Sequence, residues 1–167
     1  MSIWILIFGQ AAVLAYALVG GVFLAFSDFI MRSLSLTSGQ GGLEAMQVIN
    51  REVFRWIFMV LFLGMAAMSL LGAAYGFLNL SAPYGPAFAF AGLLYLIGCF
   101  GVTVVCNVPM NEALAELAPD TEDARRYWVE TYLPRWTLWN TVRSVACVGS
   151  AAALMMALIW LNGAPEV

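Results

Sequence analysis

An all-α fold, an integral membrane four-helix bundle with short interfacial helices in the first and third loops, is the class this sequence predicts, on two observations. The 167 residues are 63% hydrophobic and only 10% charged, against about a quarter charged in soluble domains. Charge is also absent from residues 2–27, 56–111 and 144–165, runs of 26, 56 and 22 residues. A hydrocarbon core of about 30 Å takes roughly 20 residues of helix, so the outer runs hold one span each and the middle run two. Residues 1–167 form one transmembrane domain on this reading.

The first span covers about 3–31. Ala15-Tyr16-Ala17 has the form of a cleavage site, but no Lys or Arg precedes it and the apolar run continues to Phe26, too long for a removable signal. Residues 33–42 are rich in Ser, Thr and Gly and read as a loop. From Leu43, apolar residues recur at Met46, Ile49, Val53, Phe54 and Ile57, so an amphipathic segment is expected to run straight into a span over about 50–78. Residues 79–86, Asn-Leu-Ser-Ala-Pro-Tyr-Gly-Pro, form an uncharged hairpin. The third span, about 87–108, meets Pro109, where a break or kink is expected. Asp120 and Asp123 suggest the start of a short helix, which Pro134 interrupts before the last span, about 136–161.

Composition excludes several functions. Seven basic residues, none of them lysine, stand against ten acidic ones, so there is no footprint for nucleic acid. With no histidine, the commonest metal ligand and the usual general base are missing. Cys99 and Cys106, about 10.5 Å apart on one helix, are too distant for a disulfide; with Cys147 they read as small buried apolar residues. Gly72 and Gly76, with Gly20, Gly21, Gly98, Gly101 and Gly149, read as sites of close helix approach. All seven arginines flank the first and third loops, which places those loops in the cytoplasm and both termini outside, as in a multi-pass protein of a bacterial inner membrane.

Polar residues within the spans gather at that arginine-bearing end. Asp28 and Arg32 close the first helix, Gln47, Asn50 and Arg51 open the second, Asn107 and Asn111 bracket Pro109, and Asn140 and Arg143 open the fourth. Charges at membrane depth cost several kcal/mol, so such groups turn into the bundle and pair. A polar pocket is therefore expected there, with Asp28 paired to Arg32 or, across the bundle, to Arg143. Trp136, Asn140 and Arg143 share one helical face, and Trp139 lies four residues before Arg143, in reach of a cation–π contact.

Four stretches carry a resemblance: Phe23-x-Ala25-Phe26-Ser27-Asp28-Phe29-Ile30-Met31; Glu44 to Arg51; Asn107-Val108-Pro109-Met110-Asn111; and Trp128-x3-Tyr132-x3-Trp136-x2-Trp139-Asn140-x2-Arg143. Together they resemble the anthrone oxygenase-like family of small four-helix membrane proteins, mostly uncharacterised and bacterial, which includes fungal enzymes that oxidise an anthrone to an anthraquinone. The resemblance implies an oxidoreductase that works without a cofactor, because an anthrone enolate passes an electron to O₂ unaided. Such a protein supplies a base, donors for the enolate oxygen and a flat apolar slot. By residue type and placement, Asp28 is the expected base and Asn107, Asn140 and Arg143 the catalytic donors. Gln47, Asn50, Asn111, Trp136 and Trp139 are the expected substrate-binding residues. No metal site is expected. The alternative is a non-catalytic membrane component that binds a quinone or lipid within a larger assembly. Expected partners are the bilayer and a small aromatic or quinone-like ligand, with no nucleic acid; a channel would need a homo-oligomer to form a through-path.

Overall fold

The computed structural model describes residues 3–38, 40–55 and 57–163. It contains five helices: α1 (Ile3–Ser35), α2 (Gly41–Glu52), α3 (Ile57–Leu78), α4 (Gly85–Ala115) and α5 (Glu122–Asn162). All but α2 are long and apolar enough to cross a membrane, and no strand occurs among the described residues. Large apolar side chains such as Leu14, Leu18, Val105, Val145 and Ile159 stand on the outside of the bundle. In lipid that exposure costs nothing, and helices satisfy most of their backbone groups internally.

Around the bundle α1 packs on α5, α5 on α4, and α4 on α3, whereas α1 and α3 meet loosely. The tightest approach, between α3 and α4, depends on two glycines. A Cβ at Gly76 would strike the backbone of Ala89, and one at Gly92 would strike the Ser69 carbonyl and Ala73. Gly20 and Gly98 likewise lie against Cys147 and Ala146 of α5, but Gly21 and Gly72 face open space, so the expected GxxxG contact reduces to its second glycine. Across the loose α1–α3 seam, Tyr16 OH donates to Ser69 Oγ at 2.7 Å, since the Ser69 hydroxyl proton goes to the Met65 carbonyl.

Three expectations about the elements need correction. The amphipathic α2, which buries Leu43, Met46 and Gln47, does not run straight into the next span; it ends at Glu52 in a 3₁₀ turn over Val53–Arg55. Pro109 and Pro134 break nothing. A proline lacks its N–H and its ring crowds the carbonyl four residues back. In both cases the helix widens into π-helical turns just upstream, Thr103–Asn107 and Tyr127–Tyr132, and the proline then falls in the first turn of the next α-segment. The helix expected in the third loop is present but continuous with α5, and its cap is Thr121, whose Oγ accepts from Ala124 N at 3.2 Å, not an aspartate.

Two buried clusters result. One fills the bundle centre around Tyr16, Phe23, Phe62, Tyr95 and Cys147. The other lies at the arginine-bearing end, where Met46, Leu114, Trp128, Tyr132 and Trp136 join α2, α4 and α5. Cys99 and Cys147 are free thiols 3.4 Å apart in the first cluster, a contact between helices that spacing along the chain does not reveal.

Candidate functional site

Between the two clusters, within the α1–α3 seam, lies a cavity of about 280 Å³ reached by all five helices. Its walls are mainly aromatic and aliphatic, with Phe23, Phe26, Phe54, Phe58, Phe62, Phe100 and Trp136 supplying the rings. Its polar lining comes from Asn50, Thr103, Asn111, Trp136 and Arg143. A mostly apolar slot with a few convergent polar groups is the usual form of a small-molecule site. Four π-helical segments, Phe26–Ile30, Leu96–Gly101, Thr103–Asn107 and Tyr127–Tyr132, lie on three of the helices that line it, α1, α4 and α5. Such wide turns re-aim side chains and recur at functional sites.

Arg143 is the central group. Only 4% of it is exposed, and its guanidinium lies 4.2 Å from the Phe23 ring centroid and 5.2 Å from that of Trp136. Nη2 donates to Asn140 Oδ1 at 2.7 Å and Nη1 to Thr103 Oγ1 at 3.2 Å, while the buried Nε has no partner among the described residues. Every salt bridge among those residues lies at the surface, Arg55 with Glu52, Arg125 with Glu122 and Arg126 with Asp123, so no carboxylate neutralises Arg143. Burying a cation costs several kcal/mol even after relaxation. Neutral amide and hydroxyl acceptors and two aromatic faces offset part of that cost, and one positive charge remains beside the cavity.

Asn140 is completely buried behind Arg143 and does not reach the cavity. Its Nδ2 donates to the Phe23 carbonyl and to Ser27 Oγ, both at 2.6 Å, which turns its oxygen toward the guanidinium. Asn107 is also completely buried; its Nδ2 donates to the Trp136 carbonyl at 3.2 Å and clamps α4 to α5. Gln47 docks α2 by donating to the carbonyls of Leu114 and Leu117 at 2.8 and 2.9 Å. These three expected site residues hold the framework and do not line the cavity.

Two others face away. Asp28 is exposed and lines a shallow outer groove with Arg32, Ser35 and Thr137. It pairs with neither Arg32 nor Arg143. Val22, Phe23 and Phe26 are the residues of α1 that face the cavity, and Asp28 is not among them. Trp139 is 37% exposed on the outside of α5, and the cation–π contact expected of it is made by Phe23 and Trp136. Asn50, Asn111, Trp136 and Arg143 are thus the expected residues that the fold brings together at one cavity.

The sequence reading missed Thr103 and Tyr132. Both carry a signal in hindsight, Thr103 because Thr103, Asn107 and Asn111 recur every four residues, and Tyr132 because it stacks between Trp128 and Trp136 at 5.4 and 6.0 Å in a ladder of the same period. A second cavity of about 410 Å³, lined mainly by apolar side chains, occupies the hairpin end of the same seam between Phe8, Tyr16, Gly72 and Phe88.

A family model described as Anthrone oxygenase matches residues 51–153, which span α3, α4 and most of α5. No curated protein and no solved structure matches the chain.

Proposed function

The chain belongs to the anthrone oxygenase family, and from that premise we propose that it is a membrane-embedded, cofactor-independent oxygenase that takes a flat, acidic aromatic substrate as its anion beside Arg143. The observation that carries this reading is the buried guanidinium, which has no counter-ion among the described residues. A substrate enolate is the charge that completes it. The loose α1–α3 seam, which holds the cavity, gives an apolar substrate a route in from the bilayer. On the same proposal the arginine-rich end faces the cytoplasm.

An anthrone-type ketone carries a methylene opposite its carbonyl. Loss of one methylene proton leaves the charge on the carbonyl oxygen, where the field of Arg143 stabilises it and so raises the acidity of the substrate itself. No carboxylate lines the cavity among the described residues, so the proton passes to water and not to Asp28. The enolate gives one electron to O₂, and the resulting carbon radical and superoxide combine in a C–O bond. The peroxide takes up a proton, and loss of water, with the second hydrogen of the carbon, leaves a carbonyl. The balance is CH₂ + O₂ → C=O + H₂O, with every electron supplied by the substrate.

Oxygen uptake by the purified protein with an anthrone tests the proposal. Turnover above the uncatalysed rate is expected, falling about 10²- to 10³-fold in Arg143→Met, the usual cost of one preorganised donor. Binding of the anthrone without any added O₂ uptake would overturn the enzyme and favour a non-catalytic quinone- or lipid-binding protein.

A further inference from the structure

At the loop end of the cavity a chain of hydrogen bonds permits only one direction. Trp136 Nε1 lies 2.8 Å from the Asn111 side chain, and an indole N–H only donates, so the Asn111 atom facing it is the oxygen. Tyr132 OH lies 2.7 Å from that same oxygen. An amide oxygen has two lone pairs, and both are now taken. The single Tyr132 proton is spent on Asn111, so the phenol oxygen accepts from Asn50 Nδ2 at 3.1 Å.

Donors and an acceptor are left over. Asn111 keeps both hydrogens of its Nδ2, and Asn50 keeps its Oδ1 and the second hydrogen of its Nδ2; none of these has a partner among the described residues, and both residues line the cavity. The other pole is different in kind. Around Arg143 the Thr103 proton goes to the Cys99 carbonyl at 2.8 Å and Asn140 does not reach the cavity, so the hydrogens available to a ligand there are those of the guanidinium. Thr103, at the Arg143 pole, and Asn111 are eight residues apart on α4, about 12 Å at α-helical rise and somewhat less because Thr103–Asn107 is π-helical. That span suits a fused-ring ligand with an oxygen at each end.

We propose that Asn111 and Asn50 form a second polar subsite, which binds a neutral hydroxyl at the end of the ring system remote from the oxygen held by Arg143. A hydroxyl satisfies both residues at once, accepting from Asn111 Nδ2 and donating to Asn50 Oδ1. A methoxy group at the same place has no proton to give, and a carboxylate meets the Asn50 oxygen with its own lone pairs. The inference rests on the anion-binding reading of Arg143 and adds to it a pair of residues, Asn50 and Asn111, that select for a hydroxyl on the far ring.

The test uses the full-length protein in nanodiscs, with 2-hydroxy-1,4-naphthoquinone and its 6-hydroxy and 6-methoxy derivatives titrated by tryptophan quenching. The 6-hydroxy compound is expected to bind about tenfold more tightly than the 6-methoxy compound, the scale of one buried donor left unmatched. In Asn111→Leu and Asn50→Leu the 6-hydroxy compound is expected to lose its advantage over the 6-methoxy compound, each variant being its own reference for the two derivatives. Equal binding of the two derivatives to the unaltered protein, with the parent bound and released by Arg143→Met, overturns the subsite alone. Failure of the parent to bind, or binding indifferent to Arg143→Met, overturns the anion site and the subsite with it. The comparison of derivatives in the unaltered protein decides the matter even where a variant fails to fold.

Discussion

Asn140 Oδ1 accepts from Arg143 Nη2 at 2.7 Å, and both hydrogens of the Asn140 amide are committed to α1, at the Phe23 carbonyl and Ser27 Oγ. The amide is therefore held from behind and offers the arginine an oxygen without a charge. Asn140→Asp puts a carboxylate where the neutral oxygen stood. It satisfies Arg143 from inside the protein, and affinity for an anionic ligand is expected to fall at least about tenfold, as like charge now faces the ligand. Titration of 2-hydroxy-1,4-naphthoquinone into this variant checks it; unchanged affinity would show that the free charge of Arg143 plays no part in binding.

Asn140→Leu removes the same acceptor without replacing it. The Phe23 carbonyl and the Arg143 guanidinium then lose buried partners, and a loss of about 2–4 kcal/mol is expected. Unfolding in mixed micelles by denaturant, followed by circular dichroism, measures it.

Asp28→Asn is expected to leave oxygen uptake within about twofold of the unaltered protein, because an exposed surface substitution outside the site has little to disturb. Asp28 lies in the outer groove and not at the cavity. A loss comparable to that of Arg143→Met would restore Asp28 as a base and require α1 to rotate during turnover.

Gly92→Leu and Gly72→Leu separate packing from mere glycine content. At Gly92 the new side chain collides with the Ser69 carbonyl and with Ala73, so α3 and α4 must part at a cost of about 2–3 kcal/mol. At Gly72 nothing lies within 4 Å, and the variant is expected to melt within about 2 °C of the parent. Thermal unfolding of the two variants side by side gives the answer.

Tyr16→Phe deletes the hydrogen bond that crosses the α1–α3 seam. Ser69 keeps its own bond to the Met65 carbonyl, so no buried proton is stranded and the loss is expected to be about 1 kcal/mol. Denaturant unfolding of Tyr16→Phe beside Ser69→Ala checks it, and a double variant no worse than either single one shows that the bond is shared.

The four spans were legible from the charge-free runs alone, and so was the gathering of polar residues at one end. Arg143 was legible too, because a lone charge bordering an uncharged run must turn inward to escape lipid. The prolines misled, since a π-helical turn has no marker in residue type and absorbs what would otherwise be a break. Tyr132 was named in the motif but given no role, because only the packing of α2 and α4 against α5 sets Asn50 and Asn111 on either side of its hydroxyl.

What this sequence determined by itself is where each residue lies in depth: hydrophobic length set the spans, and the cost of charge in lipid put the arginines and amides at one end. What only the tertiary structure decided is direction around each axis. Asp28, Gln47, Asn107 and Asn140 share the depth of Arg143, yet one faces outward and three hold neighbouring helices. Each residue turns the helix by about 100°, so a few residues, or one widened turn, carry a side chain from the cavity to its far side. Which face is inside depends on the partner helix that packs there, and that partner is remote in the chain.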